Sequence, residues 1–274
     1  MDSTIDISWI DLIIGHSLLA IPVVIFLYYK TELVKSTLIA ALRMAVQLIL
    51  IGIYLEYMFK WDNNLINAAW VLLMVMVAAG TITQRSGLKY RFFVFPNFIS
   101  VLISLVLIDA FFLGFIVKLN NVFEARYLIP VTGMILGNAM QNNIIAMNSF
   151  YSDLKEKQFK HRYLLASGAT KGESLVPFFR EALKKAFNPT IARMAVIGLI
   201  SLPGTMTGQI IGGSSPSVAI KYQIMLMIAI FTSSILSVFL SLVISNRFVF
   251  DRYHNLRNDI FIEKKDRSKN LSEK

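Results

Sequence analysis

Long apolar segments alternate with short polar ones along most of the chain. Seven of them reach about 18 to 25 residues, the length that an α-helix needs to cross a bilayer. They are Trp9–Tyr29, Thr37–Phe59, Leu65–Ile82, Phe92–Val117, Tyr127–Met147, Ile191–Gly212 and Val218–Ser245. The pattern predicts an all-α, polytopic integral membrane protein with about seven transmembrane helices. Six spans is the alternative, because the first segment can lie in the interface and the sixth, interrupted by Pro203, can be re-entrant.

Composition and charge agree with that prediction. Of the 274 residues, 55% are hydrophobic and the mean hydropathy is +0.60, which is too apolar for a soluble domain with one core. If the N-terminus is outside, 21 of the 27 lysines and arginines fall in segments on the inside and three fall in the segments outside. Because cytoplasmic loops retain positive charge, we predict an N-out, C-in orientation. We expect a multi-pass protein of the cell membrane, in bacteria the cytoplasmic membrane.

The net charge of +10 is concentrated in the loops that this orientation places inside. Such loops face the cytoplasm and the anionic lipids of the inner leaflet, so the charge follows from topology. It does not indicate nucleic-acid binding.

One hydrophilic segment, residues 149–190, interrupts the apolar pattern. About 40 residues are too few for a catalytic domain, so we predict a single transmembrane domain over residues 1–257 with this loop in the cytoplasm. Residues 258–274 are expected to form a charged cytoplasmic tail. Residues 1–8 contain two aspartates and no basic stretch, so the first apolar segment is expected to remain as a helix. The chain has no cysteine and hence no disulfide or thiolate ligand.

The hydrophilic loop contains the start signal of a helix. Thr170 and Glu173 have the spacing of a capping box, in which a hydroxyl and a carboxylate each satisfy a free backbone amide. Apolar side chains then recur at helical spacing, with charged side chains on the other faces. Pro177 favours a later start, at Ser174, which leaves the proline in the first turn. Such a helix can lie flat in the lipid headgroups or contact a partner.

Three short stretches, LASGAT (165–170), NPTI (188–191) and SLPG (201–204), resemble the coupling-loop region of ABC transporter permeases. In that family a small-residue turn, a short helix and a proline before the next span form the surface that docks on the ATPase subunit. More narrowly, NAMQNNIIAMN (138–148), SLPGTMTGQIIGG (201–213) and SPSVAIKYQIMLM (215–227) resemble the permease subunit of the Fet-type ABC transporters linked to iron export. Plant aluminium-tolerance permeases are similar. The resemblance covers residues 10–257.

The resemblance implies the permease subunit of an ATP-driven exporter for iron or a related metal ion, paired with itself and with a cytosolic ATPase docked on residues 149–190. The implied contact residues are Gly168, Ala169, Thr170, Glu173 and Phe179. The chain lacks the G-x-x-x-x-G-K-[ST] motif, so ATP and Mg²⁺ would bind in the partner subunit and this chain needs no cofactor. A carrier or channel without an ATPase, and an ABC permease for another solute, are the alternatives. No motif indicates an enzyme with a catalytic site of its own.

Glycines recur every four residues in two predicted spans: Gly133 and Gly137 in the fifth, and Gly204, Gly208 and Gly212 in the sixth. Such stripes let membrane helices approach closely, so we expect the two to pack on each other or across a dimer. Pro203 can bend the sixth helix. The polar and flexible side chains after it are substrate-path candidates, or else parts of a kinked structural helix: Met206, Thr207 and Gln209.

Side-chain amides cluster near the inner end of the fifth span: Asn138, Gln141, Asn142 and Asn143. The first three share one helical face, where amides are costly in lipid unless they face protein or water. They can coordinate a hard cation through oxygen or form interhelical hydrogen bonds. His16 is the one histidine within a span and has no ligand cluster around it, so the metal ligands stay unknown.

Charged residues fall within or at the edge of several spans: Asp11, Arg43, Glu56, Asp109 and Arg193. A charge at the bilayer centre costs about 2.5 to 3.5 kcal/mol on insertion scales. Arg43 and Asp109 are therefore expected to have partners, whereas the others can reach an interface.

Overall fold

The computed structural model describes residues 7–251 and 253–262. Over these residues the chain forms nine helices, one further 3-10 turn at Asn258–Ile260, and no strand. The helices are α1 (Trp9–Tyr28), α2 (Val34–Trp61), α3 (Asn64–Arg85), α4 (Tyr90–Ile116), α5 (Ala125–Glu156), α6 (Gln158–Ala166), α7 (Lys171–Val196), α8 (Gly204–Ile211) and α9 (Pro216–Ser245). The predicted all-α fold is confirmed.

Five helices, α1 to α4 and α9, are long and apolar enough to cross a membrane. Helix α5 covers the predicted fifth span, but its amide side chains make it more polar, and it continues to Glu156. The prediction of one helix over Ile191–Gly212 is wrong, because α7 ends at Val196 and α8 begins at Gly204. Gly198 lies between them at a φ of +87°, a backbone conformation that ends a helix. Pro203 caps α8 instead of bending it.

The path through α7 and α8 still runs antiparallel to α9, from its last residues to its first. Three contacts mark the path: Lys171 Nζ with the Asn246 carbonyl oxygen (2.9 Å), the ring of Phe187 with that of Phe231 (centroids 5.9 Å apart), and the Thr205 hydroxyl with the Gln223 amide. Two helices and a break therefore take the place of the predicted sixth helix. The number of membrane crossings stays a prediction.

Helices α3, α4, α5 and α9 form the core, and α7 packs against α5. The core buries large aromatic side chains such as Phe93 and Tyr151, whose rings meet edge to face. Helix α9 buries a column of serines spaced by four residues: Ser233, Ser237, Ser241 and Ser245. Small side chains at this spacing let α4 and α5 approach the α9 backbone closely.

Helices α1 and α2 lie mostly outside this core. None of the apolar window of either helix is buried, and α2 joins the rest near its C-terminal end, where Met58 packs with Ala125 and Ile129. Arg43 is exposed and takes part in no ion pair of the described residues. The prediction of a partner for Arg43 is therefore wrong within one chain.

The loops collect at two ends of the bundle. One, here called the basic end, contains residues 85–91, 157–171, 246–251 and 253–262. There Lys89 N donates to the Ile260 carbonyl oxygen (2.8 Å), and Ile262 N donates to that of Gly87 (2.9 Å). Parts of three of the four segments predicted to lie on the cytoplasmic side thus lie together; the fourth, with Lys30 and Lys35, is not among them. The opposite end contains residues 61–64, 117–125 and 212–218, with Asn121 bonded to Asn64.

Candidate functional site

The turn before α7 has the predicted capping geometry. Thr170 N donates to the Glu173 carboxylate (2.8 Å), and Glu173 N donates to Thr170 Oγ1 (3.3 Å). The Thr170 amide and, at 2.7 Å, the Thr170 hydroxyl both donate to the Glu173 carboxylate and hold the pKa of that carboxyl below its usual value. Helix α7 begins at Lys171, so the predicted start at Ser174 is wrong, and Pro177 lies inside the helix. The two capping bonds stabilise the first turn ahead of the proline.

The five predicted ATPase-contact residues do not form one surface. Gly168, with a φ of +91°, Thr170 and Glu173 are exposed, and Ala169 is half-buried. Phe179 turns inward, with its ring centroid 4.9 Å from that of Phe150 in α5. The first four lie at the tip of the loop, whereas Phe179 links α7 to the core.

Helix α6 presents two exposed aromatic rings one turn apart. Phe159 and Tyr163 are 83% and 63% exposed and are separated by four residues. His161, between them, is fully buried, and its Nε2 lies 2.9 Å from the His254 carbonyl oxygen. Arg162 Nε donates to Asn255 (3.0 Å). Hydrogen bonds to residues 254 and 255 therefore hold the inner face of α6, and its outer face exposes aromatic side chains to the solvent.

The C-terminal segment, residues 246–251 and 253–262, packs across the basic end. Lys171 Nζ donates to the Asn246 carbonyl oxygen and lies 4.2 Å from the centroid of the Phe250 ring. Burial lowers the pKa of the Lys171 ammonium group. The predicted tail at 258–274 begins within this packed segment, since Ile260 is fully buried. Residues 263–274 of that tail lie outside the described residues.

A cavity of about 500 Å³ lies between α5, α8 and α9 towards the opposite end. Its polar wall contains Arg126, Tyr127, Thr205, Gln209, Tyr222 and Gln223. The Thr205 hydroxyl donates to the Gln223 amide oxygen and so connects α8 to α9. Arg126 is exposed and belongs to no ion pair found within residues 7–251 and 253–262. The break before α8 allows this short helix to form one wall of the cavity.

The predicted substrate-path residues do not gather in one place. Gln209 lines the cavity, Met206 is buried, and the Thr207 hydroxyl donates to the Pro203 carbonyl oxygen (3.2 Å). The candidate amides of α5 lie further along that helix and do not line the cavity. Of these, Asn138 donates to the Met134 carbonyl oxygen (2.9 Å), Gln141 is exposed and Asn142 is buried.

Asn143, which is off the predicted amide face, joins α5 to α9. Its Nδ2 donates to Ser237 Oγ and to the Ala139 carbonyl oxygen, both at 2.8 Å. The side chain is fully buried, and its Oδ1 has no hydrogen-bond partner among the described residues. For Asn143, the interhelical hydrogen bond is the alternative that the structure supports.

The two glycine stripes do not pack on each other within the chain. A Cβ at Gly133 would lie 3.6 Å from the methyl group of Met74 in α3. Gly137, Gly204 and Gly208 have no such neighbour within 4 Å, and Gly212 caps the end of α8. The prediction of packing between the stripes is wrong within one chain, and packing across a dimer stays a prediction.

Asp109 has a hydroxyl group as its partner, not a cation. The side chain is 5% exposed, and Thr132 Oγ1 donates to its Oδ2 at 2.6 Å. Within the described residues, its Oδ1 has no partner. The π-helical end of α4 starts at the next residue, a geometry often found at functional sites. The remaining charged residues of the predicted spans, Asp11, Glu56 and Arg193, are exposed.

The sequence matches a known family over most of its length. The family, described as "Uncharacterised protein family (UPF0014)", matches residues 9–250. The chain belongs to the UPF0014 family. Three relatives extend this finding. The Probable iron export permease protein FetB of Escherichia coli (strain K12) is 30% identical over 243 residues, or 88% of this chain and 92% of that protein.

The UPF0014 membrane protein STAR2 of Oryza sativa subsp. japonica is 35% identical over 233 residues, covering 82% of this chain and 79% of that protein. Protein ALUMINUM SENSITIVE 3 of Arabidopsis thaliana is 32% identical over 187 residues, covering 68% of this chain and 66% of that protein. No solved structure matches. The resemblance to Fet-type and plant aluminium-tolerance permeases is confirmed, as is the expectation of a multi-pass membrane protein.

Two features of this UPF0014 chain were not indicated as sites by the sequence pattern. In the sequence, Arg126 served only as one of the basic residues that predict the orientation. Gln223 stood out only as a polar residue in an apolar span. Phe159 and Tyr163 lie in a hydrophilic loop that carried no helix prediction before residue 170. Their spacing of four residues was the one local signal that an aromatic pair shares a helix face.

Proposed function

We propose that this UPF0014 chain is the membrane-spanning permease subunit of an ATP-driven ABC exporter. Two copies pair with each other and with cytosolic ATPase subunits that bind ATP and Mg²⁺, and the cargo is iron or a related metal ion. The Escherichia coli relative, named a probable iron export permease, supports a permease function and iron as the cargo. With the predicted N-out orientation, the basic end lies in the cytoplasm beside such an ATPase. Of the predicted docking loop, residues 149–190, α6 and the start of α7 lie at this end, whereas Phe187 packs on Phe231 near the middle of α9.

The observation that carries this proposal is the exposed aromatic pair of α6. Exposed aromatic side chains on a rigid base are typical anchors of protein–protein contacts. Phe159 and Tyr163 have such a base, because buried His161 and hydrogen-bonded Arg162 fix the helix to the C-terminal segment. Together with the turn at Gly168, they form the ATPase docking surface in this proposal.

A continuous series of elements then leads from the docking surface to the cavity. The capping box makes the start of α7 rigid, and Phe179 links α7 to Phe150 in the core. Beyond Val196 the chain passes through the break to α8, which lines the cavity. Closure of the ATPases would shift α7 and, through it, the wall formed by α8.

The docking step is tested by co-purifying the permease with its candidate ATPase. We expect the double variant Phe159→Ser, Tyr163→Ser to lower ATPase association at least tenfold. Tyr253→Ser is the matched control, since this ring is 82% exposed at the same end but lies outside α6. An ATPase that binds the double variant as well as it binds the wild-type chain would contradict docking on α6.

Cargo and direction are tested by uptake of radioactive iron into inside-out vesicles. Uptake that needs ATP and both subunits would support an iron exporter. Uptake by the permease alone would support the carrier or channel instead. A bound ATPase that hydrolyses ATP without iron uptake would reject iron, or the export direction, while retaining the ABC assembly.

A further inference from the structure

We propose that the cavity between α5, α8 and α9 is the cargo-binding site and that it takes a small organic anion, either alone or with a metal ion bound to it. This inference rests on the proposed transport function and specifies the chemical class of its cargo. In this view, a metal ion crosses as an anionic complex and not as a bare cation.

The charge of the lining favours an anion. Among the described residues, Arg126 is the one charged side chain that lines the cavity, and the lining contains no carboxylate and no imidazole. Carboxylates and imidazoles are the side chains that most often bind iron and similar metal ions in proteins. Throughout the described part of the chain, no group of three histidine or acidic side chains is placed to hold a metal ion. An unpaired guanidinium group, by contrast, binds carboxylate or phosphate oxygens through paired hydrogen bonds.

The hydrogen-bond donors of the lining also favour an anionic ligand. Gln223 is 5% exposed, and its amide oxygen already accepts the hydrogen bond from Thr205. Its N–H groups therefore remain for a ligand, and N–H groups bind an anion or another acceptor, not a cation. A second cation, Lys221, lies in an adjoining groove that shares Val218 and Tyr222 with the cavity. Two cations, Arg126 and Lys221, thus lie at or beside the cavity.

The size of the cavity favours an organic ligand. A cavity of about 500 Å³ lies within the range of small-molecule sites, about 300 to 1,000 Å³. An ion with six waters would occupy only about 180 Å³, at about 30 Å³ for each water. Apolar side chains, including Pro130, Val131 and Leu226, form the rest of the wall. They suit the carbon skeleton of an organic anion better than a hydration shell.

Binding to the purified permease, without any ATPase, tests this inference. The probes are citrate, ferric citrate and ferrous ion alone, with affinity measured by calorimetry. We expect one or both of the citrate probes to bind and ferrous ion alone not to bind. Arg126→Gln should weaken binding of the anionic probe at least tenfold, and Arg126→Lys should restore part of it. Lys60→Gln, which removes an exposed cation at the same end but outside the cavity, should change affinity less than twofold.

The two citrate probes distinguish a free organic anion from its complex with a metal ion. Tighter binding of ferric citrate indicates the metal complex, and equal binding of both indicates the organic anion itself. Binding of ferrous ion alone, no binding of either citrate probe, or an unchanged affinity in Arg126→Gln would overturn the inference. Because ATPase docking is measured separately on α6, those results would leave the proposed ABC assembly intact.

Discussion

His161 Nε2 lies 2.9 Å from the carbonyl oxygen of His254 and donates a hydrogen bond to it, joining α6 to the C-terminal segment. The imidazole is fully buried, and the rings of Phe178 and Phe250 lie next to it. The exposed aromatic side chains of α6 therefore depend for their position on a segment that is about 90 residues later in the chain. The last described residues are part of the proposed docking apparatus and not a separate tail.

Replacement of His161 by alanine should loosen α6. The variant loses a buried hydrogen bond and ring packing, so we expect a loss of about 1 to 3 kcal/mol in stability. Trypsin should then cut faster at Lys157, Lys160 and Arg162. His254→Asn is the control, because the backbone of residue 254 accepts the bond and asparagine tolerates its positive φ of 61°. Equal trypsin sensitivity in both variants would argue against this anchor.

Replacement of Phe179 by alanine should separate docking from coupling. Phe179 is half-buried and packs on Phe150, so ATPase association should stay within twofold of wild type. Transport per ATP hydrolysed should fall several-fold, because α7 loses its packing on the core. Val176→Ala, on an exposed face of the same helix, is the comparison variant. Loss of ATPase binding in Phe179→Ala would place this side chain in the docking surface.

Replacing each of two glycines at the start of α7 by alanine should change the stability of the folded chain in opposite directions. Gly168 has a φ of +91°, where a Cβ costs about 1 to 2 kcal/mol. Gly172 lies in the first turn of the helix with room for a Cβ, where alanine gains about 0.5 to 1 kcal/mol. Thermal unfolding of the two variants in detergent measures both effects. A Gly168→Ala chain as stable as the wild type would show that this turn relaxes freely.

The start of α7 should weaken in acid. The hydrogen bonds from Thr170 lower the pKa of Glu173 from its ordinary 4.5. A lowered pKa means that the carboxylate stabilises the folded turn at neutral pH, and this contribution is lost as the pH falls through the folded-state value, below 4.5.

Hydrogen exchange at the first amides of α7, corrected for intrinsic rates, measures this pH dependence. Protection should be constant near pH 7 and should decline in acid. In Glu173→Gln the decline should be much smaller, because the glutamine side chain has no carboxyl group to titrate. The same decline in that variant would assign the acid effect to another group.

Local features of the chain were predictable from the sequence. Apolar segments of membrane length became α1 to α4 and α9, because the bilayer-length rule depends only on consecutive residues. The capping box of Thr170 and Glu173 formed as predicted, since its two residues lie in one helical turn. The family resemblance rested on short contiguous motifs, and the family match over residues 9–250 confirmed it.

The tertiary structure decided what depends on contacts between distant residues. Arg126, Gln209 and Gln223 are almost 100 residues apart at the extremes, and only the packing of α5, α8 and α9 brings them to one cavity. The same holds for the hydrogen bond between His161 and His254, which decides which face of α6 is exposed. The sixth span was mispredicted because hydropathy does not register the positive φ of Gly198. Local propensity acts within a turn of helix, whereas a binding site requires side chains from separate elements, and packing alone places those elements together.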